Sequence, residues 1–114
     1  MLNIPLQAIP NQSFSVQIGN STYDLRIKDC GNIMAVDVSI DNTVIVTGQR
    51  AVPGNFILPY RYLEDGNFLI TTLDDEYPDW RRFGLDQFLA FATQPELNAI
   101  RFTDIVSVHY AAVA

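Results

Sequence analysis

The strictest constraint on this chain is a period of two. Phe14, Val16 and Ile18 alternate with Ser13, Ser15 and Gln17. After Gly19-Asn20-Ser21 the rhythm resumes, with Tyr23, Leu25 and Ile27 set between Thr22, Asp24, Arg26 and Lys28. Successive side chains on an extended strand point to opposite faces, so this spacing puts one face on a core and the other toward water. Gly-Asn between the two runs supplies the positive φ angles of a tight hairpin turn. Met34, Val36, Val38 and Ile40 continue the pattern, with Ala35, Asp37, Ser39 and Asp41 expected to face water. Asp41-Asn42 then turns the chain into Thr43–Thr47, whose Val44-Ile45-Val46 run reads as a strand buried on both faces.

Further strands follow at short intervals. Arg50 to Phe56 reads as a loop with a Pro53-Gly54 turn. Phe56, Leu58, Tyr60 and Tyr62 share a face of the next strand, where Pro59 argues for an edge or a bulge. A turn at Glu64–Asn67 leads into a strand from Phe68 to Leu73, and then into a polar loop holding Trp80 and Phe83. Residues 85–94 lean toward a strand in which Phe88, Ala90 and Ala92 alternate. Thr93 to Asn98 reads as a loop or short helical turn with Pro95 at its start. Ile100–Phe102 and Ile105–Tyr110 form a last pair of strand segments. The fold class expected is all-β, a small antiparallel β-barrel or β-sandwich of about seven to nine short strands.

Asn3 to Pro10 departs from this alternation. Ile4-Pro5 and Ile9-Pro10 are incompatible with a helix or a central strand, because proline fixes φ and removes an N–H donor. Residues 1–11 are thus expected to be a proline-bearing N-terminal arm, and residues 12–114 one β domain with an apolar C-terminal strand. Either the arm crosses a neighbouring subunit and buries Ile4, Leu6 and Ile9 there, or it folds back over its own domain.

Composition narrows the function. With 114 residues, 48% of them hydrophobic and 18% charged, the chain suits one globular domain. A net charge of −6 with seven scattered Lys and Arg residues argues against nucleic-acid binding. No apolar run is long enough to span a membrane and no basic leader precedes one, so a cytoplasm-like site of synthesis is expected. Cys30, the one cysteine, excludes an internal disulfide and a multi-cysteine zinc site.

No constellation for chemistry emerges, and neither a catalytic residue, a cofactor nor a metal is expected. Asp74, Asp75, Glu76 and Asp79 offer oxygen ligands but lack the spacing and glycine of an EF-hand loop, and Arg81 and Arg82 stand beside them. His109, the one histidine, has no G-x-S-x-G nucleophile elbow to serve. Trp80-Arg81-Arg82, followed by Phe83, combines residue types enriched where proteins meet. From Ile105 to Ala114 there is no charged side chain, and both faces carry apolar residues, Val106, Val108 and Tyr110 among them. A terminal strand without charges invites pairing, so either it is central and covered on both sides or a partner chain covers it, and the partner is the expectation. The candidate interface is therefore Ile4, Pro5, Leu6, Ile9, Pro10, Trp80, Arg81, Arg82, Phe83, Val106, Val108 and Tyr110.

Five short motifs occur in order: Ile4–Leu6, Pro10–Val16, Val52–Gly54, Pro59–Leu63 and Phe83-Gly84. Together they resemble the small baseplate plug proteins of contractile-tailed bacteriophages, a family described from a cyanophage baseplate. The resemblance covers roughly residues 1 to 91 and leaves the rest of the chain unmatched. It implies a β-rich virion protein of the tail baseplate, assembled in the host cytoplasm near the central hub and tail tube. It also implies no enzymatic activity and no cofactor. Other baseplate, hub and tail-tube proteins would be its partners, with copies of itself alongside. The competing expectation is a soluble β-sandwich module for a carbohydrate or peptide, with Tyr60, Tyr62, Trp80 and Tyr110 as a stacking platform. A metal-dependent hydrolase around Asp74, Asp75 and Glu76 stands third.

Overall fold

The computed structural model describes residues 1–59, 66–74 and 76–100. Seven strands lie among them: β1 (Leu2–Ile4), β2 (Asn11–Ile18), β3 (Ser21–Asp29), β4 (Met34–Ile40), β5 (Thr43–Arg50), β6 (Asn67–Thr71) and β7 (Phe88–Ala92). They form two antiparallel sheets, one in the order β2-β3-β4-β5 and the other β1-β7-β6. Among the described residues the sheets close no barrel, and the architecture is sandwich-like.

The four-stranded sheet follows directly from the alternating sequence. Gly19 has φ 61°, and the two-residue turn at Gly19-Asn20 closes β2 onto β3 in unbroken register from Ile18↔Ser21 to Asn11↔Lys28. Asp41 (φ 49°) and Asn42 (φ 67°) both take the left-handed conformation that a tight β4–β5 hairpin needs. Asp41 is also tied to β3: its N–H donates to Thr22 O, and its carboxylate accepts from Thr22 N, both at 2.9 Å. Tyr23, Leu25, Ile27, Met34, Val36 and Val38 line the inner face and meet Ile4, Phe68, Ile70, Leu89 and Phe91 of the second sheet. At the centre, the Tyr23 ring lies 5.4 Å from Phe68 and 5.5 Å from Phe91, and Phe68 and Phe91 are 5.0 Å apart. Edge-on and tilted packing of this kind is favoured by the ring quadrupoles.

Several expectations are corrected. Val44-Ile45-Val46 is not buried on both faces: among the described residues β5 pairs with β4 alone, and Val44 is 66% exposed. Ala35, expected to face water, is buried, because Lys28 and Arg50 pair with it on either side and their aliphatic stems share its face. In β7 the core face carries Leu89 and Phe91 instead of Phe88, Ala90 and Ala92. Ala90 and Ala92 are nonetheless buried, as befits the central strand of its sheet, while Phe88 at the start is exposed.

Residues 56–59 are not a strand, although Ile57 N donates to Phe68 O at 2.8 Å. The buried Asn67 amide locks this segment in place. Its Oδ1 accepts from Leu58 N at 2.9 Å and its Nδ2 donates to Leu58 O at 3.0 Å, imitating a strand pair. The expected strand faces of Tyr60 and Tyr62 lie outside the described residues. Residues 94–100 are helical, so Ile100 opens no strand; the chain beyond it lies outside the described residues. Thr93 caps this helix by donating to Glu96 Oε1 from its backbone N at 3.1 Å and its hydroxyl at 3.0 Å. Pro95 stands at the start of the first turn, where a missing N–H costs nothing.

Candidate interaction surface

The N-terminal residues are part of the sandwich. Leu2, Asn3 and Ile4 pair with Phe91, Ala90 and Leu89, making β1 the third strand of its sheet. Ile4 is only 5% exposed and belongs to the core, and Leu6 packs against the same core. This corrects the expectation that Ile4 and Leu6 are buried in a neighbour: the chain folds back on itself. Beyond Ile4 the segment turns outward. Pro5, Ile9 and Pro10 are exposed. Gln12 holds the segment to the head of β2 by accepting from Gln7 N at 3.2 Å and donating to Gln7 O at 2.8 Å.

The second element is the turn from Glu76 to Gln87. Trp80–Arg82 form a single 3-10 turn, capped where Asp79 Oδ1 accepts from Arg81 N at 3.0 Å. Arg82 ties the turn together. Its guanidinium reaches Glu76 Oε2 at 2.6 Å and both carboxylate oxygens of Asp86, with Nε–Oδ1 at 2.9 Å. The Asp86 hydrogen bond and the charges of both carboxylates hold the Arg82 pKa above its ordinary value against the opposing effect of desolvation. Arg82 O accepts from Leu85 N, Asp86 N and Gln87 N at 3.1 to 3.3 Å. The buried Gln87 side chain braces the other side, accepting from Asp79 N at 2.8 Å and donating to Tyr77 O at 3.3 Å.

This scaffold separates the four residues singled out from the sequence. Phe83 is 3% exposed and belongs to the core, which corrects its assignment as an interface residue. Arg82 is committed to Glu76 and Asp86. Trp80 packs partly against the core, and the exposed Arg81 guanidinium lies over its ring, 4.8 Å from the centroid. Beside them a pocket of about 180 Å³ is lined by Asp29, Asn32, Met34, Tyr77, Trp80 and Arg81, among others. Among the described residues no group of three His, Cys, Asp or Glu side chains could hold a metal ion. Glu76 and Asp79 of the acidic cluster instead serve Arg82 and Arg81. Asp75 and His109 lie outside the described residues, as do Val106, Val108 and Tyr110.

The two elements meet. A β-carbon on Gly84 would lie 3.6 Å from Leu6 O, so the N-terminal segment runs past the end of the turn. Ile4 pairs with Leu89, and one step further along stand Pro5 and Phe88. Around this junction the surface is apolar: Leu85 is 77% exposed and Phe88 38% exposed. Neither was singled out from the sequence. The available signal was that Phe88 and Leu89 are adjacent in a strand, so only one of them can face the core.

What these features define as a class is a small antiparallel β-sandwich whose polar side chains hold turns in shape and which carries part of its exposed apolar surface at the junction of an N-terminal strand and a braced turn. The chain belongs to the family of the cyanophage baseplate Pam3 plug gp18, whose model matches residues 1–94. Membership makes it a phage baseplate plug protein, a structural component of the virion tail that meets other phage components. Comparison with curated proteins gives no match. No helix among the described residues is long and apolar enough to cross a membrane.

Proposed function

We propose that this chain is a plug-like subunit near the central hub and tube of the tail baseplate, where it holds neighbouring subunits together. The family match over residues 1–94 carries this reading. The exposed apolar side chains beside the β1–turn junction support it, since Leu85 and part of Phe88 stand open among the described residues and neighbouring baseplate, hub or tube proteins would cover them. In this reading Pro5, Ile9, Pro10, Trp80 and Arg81 contribute to the contact together with Leu85 and Phe88. Leu6, Ile4, Phe83 and Arg82 act from behind, by shaping the surface. Copies of the chain sit side by side in the same assembly, formed in the host cytoplasm before the virion leaves.

The carbohydrate or peptide module is not favoured: Trp80, the one platform residue described, is partly packed against the core. Co-expression of the full chain with the hub and tube proteins of its own phage tests the proposal. The wild-type chain should co-purify with them, and Leu85→Asp together with Phe88→Ser should abolish this while leaving the melting temperature within a few degrees. Co-purification unaffected by both substitutions would remove this surface from the interface, and a map of the intact tail lacking the chain at the hub would overturn the placement.

A further inference from the structure

Three of the four sheet edges among the described residues are protected against pairing. β1 is three residues long and is followed by Pro5. β6 is covered, because Ile57 N donates to Phe68 O and Leu58 is held by the Asn67 amide. β5 breaks register with β4 twice, and Gly48, at φ 66°, turns its N–H onto Asp37 Oδ1 at 2.6 Å. Short length, coverage and bulges are the usual devices that stop an edge from recruiting another strand. Among the described residues β2 has none of them. It runs for eight residues in unbroken register with β3, without a charge or a proline.

The groups that β2 offers follow from its pairing. Thr22, the partner of Gln17, accepts at its C=O from Asp41 N on the β4 side. Gln17↔Thr22 is therefore a non-hydrogen-bonded pair, and the alternation of an antiparallel ladder turns the N–H and C=O of Asn11, Ser13, Ser15 and Gln17 outward. All four residues are exposed. On the outer face Ser13 stands beside Arg26 and Ser15 beside Asp24, to which the Ser15 hydroxyl donates. Arg26 is exposed and holds no ion pair among the described residues. Because the serines are short, a hollow of about 390 Å³ lies over Ser13, Ser15, Asp24 and Arg26, among others. On the inner face Phe14 and Val16 are half-buried against the core.

We propose that a second copy of the chain occupies this edge, β2 running antiparallel to β2 about a two-fold axis at Phe14. A two-fold contact presents the same patch from both sides, so β2 must complement itself. It does so in one register, with Ser13 opposite Ser15 and Asn11 opposite Gln17 of the other copy. Only there does every outward residue of β2 meet an outward residue, so that all the free N–H and C=O groups pair. Phe14 of one copy then faces Phe14 of the other in a non-hydrogen-bonded pair, the closer kind, where aromatic pairs stabilise a sheet. On the outer face each row runs from Arg26 through Ser13 to Ser15 and Asp24 of the other copy. Unlike charges thus end the row, their backbones about 14 Å apart, with only short serines between them. This selects a second copy over a foreign strand. Chains of net charge −6 repel one another, and here they meet on an uncharged strand flanked by matched charges. The inference goes beyond the baseplate placement and does not rest on it, because the isolated chain carries the whole contact.

Sedimentation equilibrium and residue-resolved amide hydrogen exchange on the full chain test this. The chain should pass from monomer to dimer over a roughly hundredfold rise in concentration, and the outward amides of Ser13, Ser15 and Gln17 should exchange at least about tenfold more slowly at its upper end. Ser15→Pro removes an outward N–H and should leave a monomer, while the inward amides of Phe14 and Val16 report whether the fold is kept. Should that variant unfold, Ser13→Lys with Ser15→Lys replaces it: like charges then oppose across the joint and should give a monomer. Ser13→Asp with Ser15→Lys opposes unlike charges and should keep the dimer. A chain that stays monomeric throughout overturns the proposal and leaves the hub contact untouched. Outward amides protected equally at every concentration also overturn it, since a segment of the same chain would then hold the edge. So does a dimer that survives Ser15→Pro or the paired lysines.

Discussion

Gly66 and Phe91 are in contact through a space that only a hydrogen atom fits. A β-carbon on Gly66 would overlap the Phe91 ring and lie 2.9 Å from Ala92 O, and the residue stands at φ 97°, a conformation that L side chains rarely adopt. The ring that closes on the glycine is the same one that packs against Tyr23 and Phe68 at the centre of the sandwich. Gly66→Ala must therefore displace a central aromatic and strain the backbone together. A loss of about 3 kcal/mol or more is expected, read as a lower midpoint in urea unfolding with an unchanged m-value.

Asn67, the next residue, is expected to be nearly as sensitive. Asn67→Ala leaves Leu58 N–H and C=O, both beside buried neighbours, without their partner. The cost should be about 2–3 kcal/mol. Asn67→Asp keeps one acceptor for Leu58 N but places an oxygen opposite Leu58 O, and should be no better. Equal stability of the Asp and wild-type chains would contradict the pairing described.

Asp37 predicts a pH dependence. Burial alone would raise its pKa, but the Gly48 N–H, the Lys28 ammonium at 3.0 Å and the charge of Arg26 together hold it below its ordinary value. A carboxylate with a lowered folded-state pKa stabilises the fold above its unfolded pKa, and that contribution fades as pH falls through the folded one. Asp37→Asn should therefore unfold more easily than wild type at neutral pH. The two melting curves should converge in acid, below the ordinary carboxylate range. A gap that persists unchanged through that range and below it would show that Asp37 acts only through its shape.

Arg81 and Arg82 should behave differently despite being neighbours. Arg82→Ala removes the link between Glu76 and Asp86 and should loosen the turn, visible as faster amide exchange at Leu85 and Asp86. Arg81→Ala removes an exposed guanidinium that stacks on Trp80 and should leave stability within about 0.5 kcal/mol. In the proposed function it should still weaken co-purification with baseplate partners.

The hairpins were legible because their causes are local. Gly19-Asn20 and Asp41-Asn42 are residues that tolerate left-handed backbone, and the alternation on either side sets the register. Which strand lies at an edge was not legible. Val44-Ile45-Val46 has the composition of a covered strand, and nothing nearby in sequence says that β5 has a single neighbour among the described residues. The same applies to Ile4, whose burial depends on β7, more than eighty residues away. Asn67 and Gln87 gave no signal as core residues, since their partners are backbone groups of Leu58, Tyr77 and Asp79 that only the tertiary fold brings within reach. Trp80, Arg81 and Phe83 all stand out by residue type, and residue type alone did not say that Phe83 is buried.

The turn from Glu76 to Gln87 is held mainly by hydrogen bonds among its own dozen residues. Its two most prominent side chains, Trp80 and Arg81, contribute few of them. Shape and display are thus encoded by separate residues. A lineage of such proteins could exchange the pair at the tip to follow a changing neighbour while Arg82, Asp86 and Gln87 keep the mount in place, so the fit to a partner can drift without the fold being asked to change.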